Sequence, residues 1–206
     1  MRPFSLVGGT ILSFVVTFAH ADAILNRVTE GSGAVGTISS GTWGYSFTVG
    51  NQSLSLSSLG VYDDFGKGIN AAHSVGIWDP VGSLLASVTV PAGTSGTLEA
   101  SFRYVSLSSP VTLNANQTYI LGVSYDTGQE VIVAYGPLDP GPNPPTYSSA
   151  VILGNTRRNT SSGFSFPSAD SVPGPGAVIG PIKAGYSKAR LPGSSLRKGW
   201  TISRVG

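Results

Sequence analysis

From Trp43 to Tyr125 apolar residues return at every second position, in short runs broken by Gly, Pro, Asn and Asp. A period of two puts alternate side chains on opposite faces of an extended chain, so this pattern calls for β-strands and not amphipathic helices. The pattern is organised around Leu59–Pro80, which reads L-G-V-Y-D-D-F-G-K-G-I-N-A-A-H-S-V-G-I-W-D-P. Its arms, Leu54–Tyr62 and His73–Asp79, read as strands. The connection between them carries Gly66 and Gly68, where only glycine adopts the needed backbone angles cheaply. In the second arm His73, Val75, Ile77 and Asp79 share one face, and Ser74, Gly76 and Trp78 the other.

The remaining runs are Trp43–Val49, Ser83–Val90, Thr97–Leu107 (ended by Ser108-Ser109-Pro110), Val111–Leu113 and Thr118–Asp126. Val131–Tyr135 is expected to answer Thr118–Asp126 across the hairpin-like turn Asp126-Thr127-Gly128. Pro137–Pro145 holds five of the fourteen prolines and reads as a surface excursion. Tyr147–Leu153 and Ser162–Phe166 are the expected closing strands. Gly and Pro supply 42 of the 206 residues and charged residues only 11%, which suits short strands joined by tight turns. The fold class that follows is all-β: a single antiparallel β-sandwich, jelly-roll-like, over residues 22–170.

The two ends differ from this domain. Residues 1–21 carry Arg2, an apolar segment from Val7 to Phe18 and the cleavage pattern Ala19-His20-Ala21, so they read as a signal peptide. The mature chain is expected to begin near Asp22, outside the cytoplasm, secreted or at the cell surface. Without cysteine, disulfides and thiolate metal sites are excluded. Residues 22–171 carry ten acids against five bases, net −5, whereas every one of the six charges from Val172 onward is positive. An acidic domain does not neutralise phosphates, so nucleic-acid binding is not expected. The tail, 171–206, is basic and rich in Gly and Pro with no apolar period; it is expected to be disordered and to pack on nothing.

The segments F-T-V-G (47–50), S-L-G-V-Y-D (58–63), H-S-V-G-I-W-D (73–79), G-S-L-L-A-S-V-T-V (82–90) and P-A-G-T (91–94) carry a resemblance. So do F-R-Y-V-S-L (102–107), P-V-T-L (110–113) and T-Y-I-L-G (118–122). Over residues 43–136 the chain resembles a family of bacterial exported domains of unknown function, met in proteins with a PEP-CTERM sorting tail. The resemblance implies a β-sandwich at the Gram-negative envelope, in the setting of exopolysaccharide production. Val172-Pro173-Gly174-Pro175-Gly176-Ala177 matches the start of such a tail. Lys183, Lys188, Arg190 and Pro192 then stand where its apolar helix would be, so the tail is expected to be degenerate, or the product of a reading-frame slip just after the motif, and no membrane span is expected in the mature chain.

Each chemical candidate carries two readings. His73, alone after cleavage, is first a core or edge histidine bonded to a neighbour; in the other reading it is the base of a hydrolytic site. Asp63 and Asp64 are first turn residues, and otherwise contributors to an oxygen-lined Ca²⁺ site. Most aromatics fill the core, while Trp78, opposite Val75 and Ile77, and Tyr147, beside the Pro-rich excursion, are the ones expected to be exposed to a ligand. No catalytic residue and no cofactor other than that Ca²⁺ is expected. The expectation is an exported, non-enzymatic, monomeric surface or matrix protein, with polysaccharide or cell-envelope components as partners. Its rivals are a hydrolytic carbohydrate-active enzyme or accessory domain using Asp63, Asp64 and His73, and a matrix protein with no specific ligand.

Overall fold

The computed structural model describes residues 22–27, 40–125, 134–135, 146–170, 178–179 and 182–188. The strands are β1 (Asp22–Ala23), β2 (Leu25–Arg27), β3 (Gly41–Val49), β4 (Leu54–Tyr62), β5 (His73–Trp78), β6 (Leu84–Val90), β7 (Thr97–Glu99) and β8 (Phe102–Leu113). They continue with β9 (Thr118–Tyr125), β10 (Ala134–Tyr135), β11 (Thr146–Tyr147), β12 (Val151–Asn159), β13 (Ala169–Asp170), β14 (Val178–Ile179) and β15 (Ile182–Lys188). Among the described residues there is no α-helix, only a one-turn 3-10 element at Asp64–Gly66.

Two antiparallel sheets form the sandwich. One has the order β13-β12-β3-β9-β5-β6, the other β1-β15-β4-β8-β7, and the chain crosses between them from β3 to β4, β4 to β5, β6 to β7 and β8 to β9, as expected of a jelly-roll-like sandwich. The period of two decides what is buried. Tyr45, Phe47, Val75, Ile77, Leu121 and Val123 from the first sheet close on Leu54, Leu56, Leu59 and Leu113 from the second, all almost wholly withdrawn from water. At roughly 1.5–3 kcal/mol for each large side chain buried, this face is the main source of stability.

Five local expectations are corrected. The run Thr97–Leu107 is not one strand but the hairpin of β7 and β8, turned at Ala100-Ser101. β8 then continues through Ser108-Ser109-Pro110; the register against β4 jumps there, from Ser58↔Ser106 to Leu56↔Val111, and such a bulge tolerates a proline that lacks an N–H. Ala134–Tyr135 pairs with Val178–Ile179 and not with β9; residues 126–133 lie outside the described residues. Ser162–Phe166 forms no strand and instead crosses the outer face of the six-stranded sheet. The fifth concerns the tail.

Ile182–Lys188, expected to pack on nothing, pairs with β4 over seven positions, from Ile182↔Val61 to Lys188↔Leu54, and with Asp22–Ala23 on its far side. The expectation weighed only apolar burial. An added strand also satisfies the row of backbone N–H and C=O groups that β4 would otherwise present, and this offsets the ordering cost. Apart from Val178–Ile179, the rest of the tail, like the signal peptide and Pro137–Pro145, lies outside the described residues.

Candidate functional site: a strained loop platform

At the end of the sandwich where β4 leaves its sheet, Asp63 is buried and turns its carboxylate inward. Oδ2 accepts the Arg103 Nε–H at 2.6 Å, and both carboxylate oxygens accept the Gly68 N–H, at 2.8 and 3.0 Å. Arg103 spreads its other donors over a second loop and back onto the first: Nη1 to the carbonyls of Thr94 (2.8 Å) and Gly96 (3.1 Å), Nη2 to that of Gly66 (3.0 Å). The two side chains are 1% and 8% exposed. A paired bridge between Ile69 and Gly93 ties the same loops by backbone alone, and the Asp63 N–H reaches the Ser101 carbonyl at 2.8 Å. One guanidinium thus locks the 63–68 loop, the 94–96 loop and the start of β8.

The rigid base holds backbone strain. Phe65 has φ +57°, Ala100 +47° and Ser101 +65°, all in the left-handed region without being glycine. Each such residue costs roughly 1–2 kcal/mol. A strained residue persists where its surroundings over-determine it, and such residues cluster at functional sites. Here the outcome is an aromatic ring pushed into water: Phe65 is 53% exposed, and the Lys67 Nζ sits 4.7 Å from its ring centroid. Leu98, 46% exposed, lies against Gly66, whose missing side chain makes room for it. Phe65, Lys67 and Leu98 form an exposed, amphipathic platform.

The residues expected to act chemically are placed otherwise. Asp63 has both oxygens engaged by Gly68 and Arg103, which is a clamp and not an open cation seat; the Asp64 side chain lies outside the described residues. Among the described residues no three acidic or histidine side chains gather to hold a metal ion. Adding Ca²⁺ or EDTA is therefore expected to leave the melting temperature unchanged. A rise with Ca²⁺ approaching the value of a saturated site, about 2.7 kcal/mol at a hundred times the dissociation constant, would return Asp63 and Asp64 to the cation reading.

His73 is buried at the start of β5. Its Nδ1 donates to the Ser124 carbonyl at 2.8 Å, and its ring lies 4.9 Å from that of Tyr125. This is the neighbour-bonded histidine of the first reading. Trp78 is the clearest correction, since it is 3% exposed and not available to a ligand. Segment 160–168 covers it: the Phe164 ring lies 5.0 Å and the Phe166 ring 6.3 Å from the indole. The indole fits because Gly122 and Gly76 stand in register across β9 and β5 and carry no side chain where the ring lies. Arg157 and Asn159 fasten the covering segment, through Nε to the Pro167 carbonyl (3.1 Å) and Nδ2 to the Phe166 carbonyl (3.0 Å).

Tyr147 is half-buried and packs on Tyr62, Phe102 and Tyr104, which form a second aromatic cluster on the outer face of the five-stranded sheet. It also raises, after burial itself, the pKa of the Tyr45 hydroxyl far above the ordinary tyrosine value. Asp79, read as the last residue of the second arm, lies just past the end of β5 and caps a turn. Its Oδ1 accepts the N–H groups of Ser83 (2.8 Å) and Val81 (3.0 Å), and the Ser83 bond is the largest cause that holds its carboxyl below the ordinary range. A depressed folded-state pKa gives stability that is present above the ordinary carboxylate value, near 3.9, and is lost as pH falls through the folded value. Asp79→Asn should therefore differ from the parent in stability at neutral pH and converge with it in acid, as followed by denaturant unfolding across pH. A constant difference would deny the charge a role.

Sequence reasoning missed Phe65, Leu98 and Arg103. A signal was present: Phe65 sits between acids and glycines with no alternation partner, and Arg103 is a lone charge inside an apolar strand. Such an arginine must find an acid and carbonyls at one end of the fold.

A family model described as "Domain of unknown function (DUF4082)" matches residues 29–169. No curated protein and no solved structure matches the chain. Among the described residues no helix is long and apolar enough to cross a membrane.

Proposed function

Because the chain belongs to the DUF4082 family of uncharacterised domains, we propose that its work is recognition by an exposed platform on an all-β scaffold. In this reading it is an exported, non-enzymatic protein of the surface or extracellular matrix of a Gram-negative bacterium. Its signal peptide is cleaved near Ala21, its tail derives from a PEP-CTERM sorting signal, and it associates with exopolysaccharide. The observation that carries the reading is Phe65: a ring held in water at positive φ, on loops locked by a buried ion pair. A flat aromatic face pre-set by its backbone stacks on the apolar face of a sugar ring without losing freedom on binding. Lys67 beside it supplies donors to a hydroxyl or carboxylate. The hydrolytic alternative draws less support, because Asp63 and His73 are engaged in buried bonds to Arg103 and to the Ser124 carbonyl.

Phe65→Gly is the test. Glycine adopts φ +57° freely, which relieves roughly 1–2 kcal/mol of strain. The lost contact with Lys67 and the greater freedom of glycine when unfolded each cost about 0.5–1 kcal/mol. These terms nearly cancel, so stability is expected to stay within about 1 kcal/mol of the parent. Retardation in gels cast with bacterial exopolysaccharides should nevertheless fall about tenfold or more in apparent affinity, a loss of roughly 1.4 kcal/mol. Unchanged retardation would remove Phe65 from the account.

A further inference from the structure

The family match ends at residue 169, yet the five-stranded sheet is completed from beyond it. β15 lies between β1 and β4, holding two positions on one side and seven on the other. Without β15, the nine-residue β4 would pair only with β8 and present a backbone edge. A long edge of this kind is a template for any extended segment. The ladder is made by backbone groups, so it does not require its donor to belong to the same chain. Charge complementarity draws the tail of any copy to the domain of any other: 22–171 is net −5, and all six charges from Val172 onward are positive.

We propose that Ile182–Lys188 is an exchangeable strand, and that β4 of one copy accepts this strand from a second copy. Donor and acceptor are different surfaces, so a one-way exchange leaves a free β4 at one end and a free donor at the other. Exchange therefore links chains head to tail, while a reciprocal swap closes a dimer.

The chain has no cysteine, so introduced ones form the only disulfides available. Ser55 and Ser187 are register partners in the ladder, and facing residues of an antiparallel pair lie about 4.5–5.5 Å apart at Cα, within disulfide reach. Full-length chains carrying Ser55→Cys alone and Ser187→Cys alone are mixed, concentrated and oxidised. A parallel mixture pairs Ser55→Cys with Ser168→Cys, an exposed position outside β15. The expected result is a covalent heterodimer at least tenfold more abundant in the first mixture than in the second. A chain bearing both Ser55→Cys and Ser187→Cys should close internally when dilute and form covalent oligomers when concentrated. Equal heterodimer in the two mixtures, or a double variant that closes only internally at every concentration, would overturn exchange. A double variant that does not close at all would overturn the ladder on which exchange rests.

Discussion

Arg103→Met is expected to destabilise the protein by about 3–5 kcal/mol, the range for removing one partner of a buried ion pair. The reason is what it leaves behind. Asp63 keeps a carboxylate 1% exposed with only the Gly68 N–H for company, and the carbonyls of Gly66, Thr94 and Gly96 lose their donors. Asp63→Asn should cost less, since an amide oxygen still accepts from Gly68 and the arginine keeps its three carbonyls. Neutralising both partners does not restore the parent, because the carbonyls remain unpaired; the clamp is a network and not a pair. For a domain of this size each kcal/mol moves the melting temperature by about 2–4 °C, so that of Arg103→Met should fall by roughly 6–20 °C. Denaturant unfolding with an unchanged slope measures it. A loss below about 1 kcal/mol, typical of exposed pairs, would mean that the clamp is open to water.

Trp78→Ala is expected to cost a similar amount, about 3–5 kcal/mol, the range for deleting a large buried aromatic. The indole lies over the glycines of β9 and β5 and under Phe164 and Phe166, so its removal leaves a cavity that no strand can close. The glycines cannot collapse inward without parting from their own ladder. The loss should appear in the denaturant midpoint, together with release of segment 160–168 to proteolysis. An exposed platform tryptophan would behave in the opposite way, with a change within about 0.5 kcal/mol.

Legibility follows from which interactions write themselves into alternation. Leu54–Tyr62 and His73–Trp78 were readable because each has one buried and one outward face. The Ala100-Ser101 turn was not, because both residues occupy positive φ where glycine or asparagine usually signals it. Trp78 misled because its outward position in β5 is covered by a segment distant in sequence, and a period of two says nothing about what lies over a sheet. β15 was hidden by its lysines, since backbone pairing along an edge demands little of side chains. The platform was half legible. Gly66 and Gly68 marked the loop, while the ion pair that stiffens it joins residues forty positions apart.

The most direct measurement is an array of bacterial exopolysaccharides, neutral and acidic, probed with the mature parent chain and with Phe65→Gly side by side. The account predicts that the parent binds a subset of the array and that Phe65→Gly, folded and within about 1 kcal/mol of the parent, loses about tenfold or more of that signal. A blank array for the parent, or equal binding by both proteins, would contradict it and leave a matrix protein without a specific ligand at Phe65.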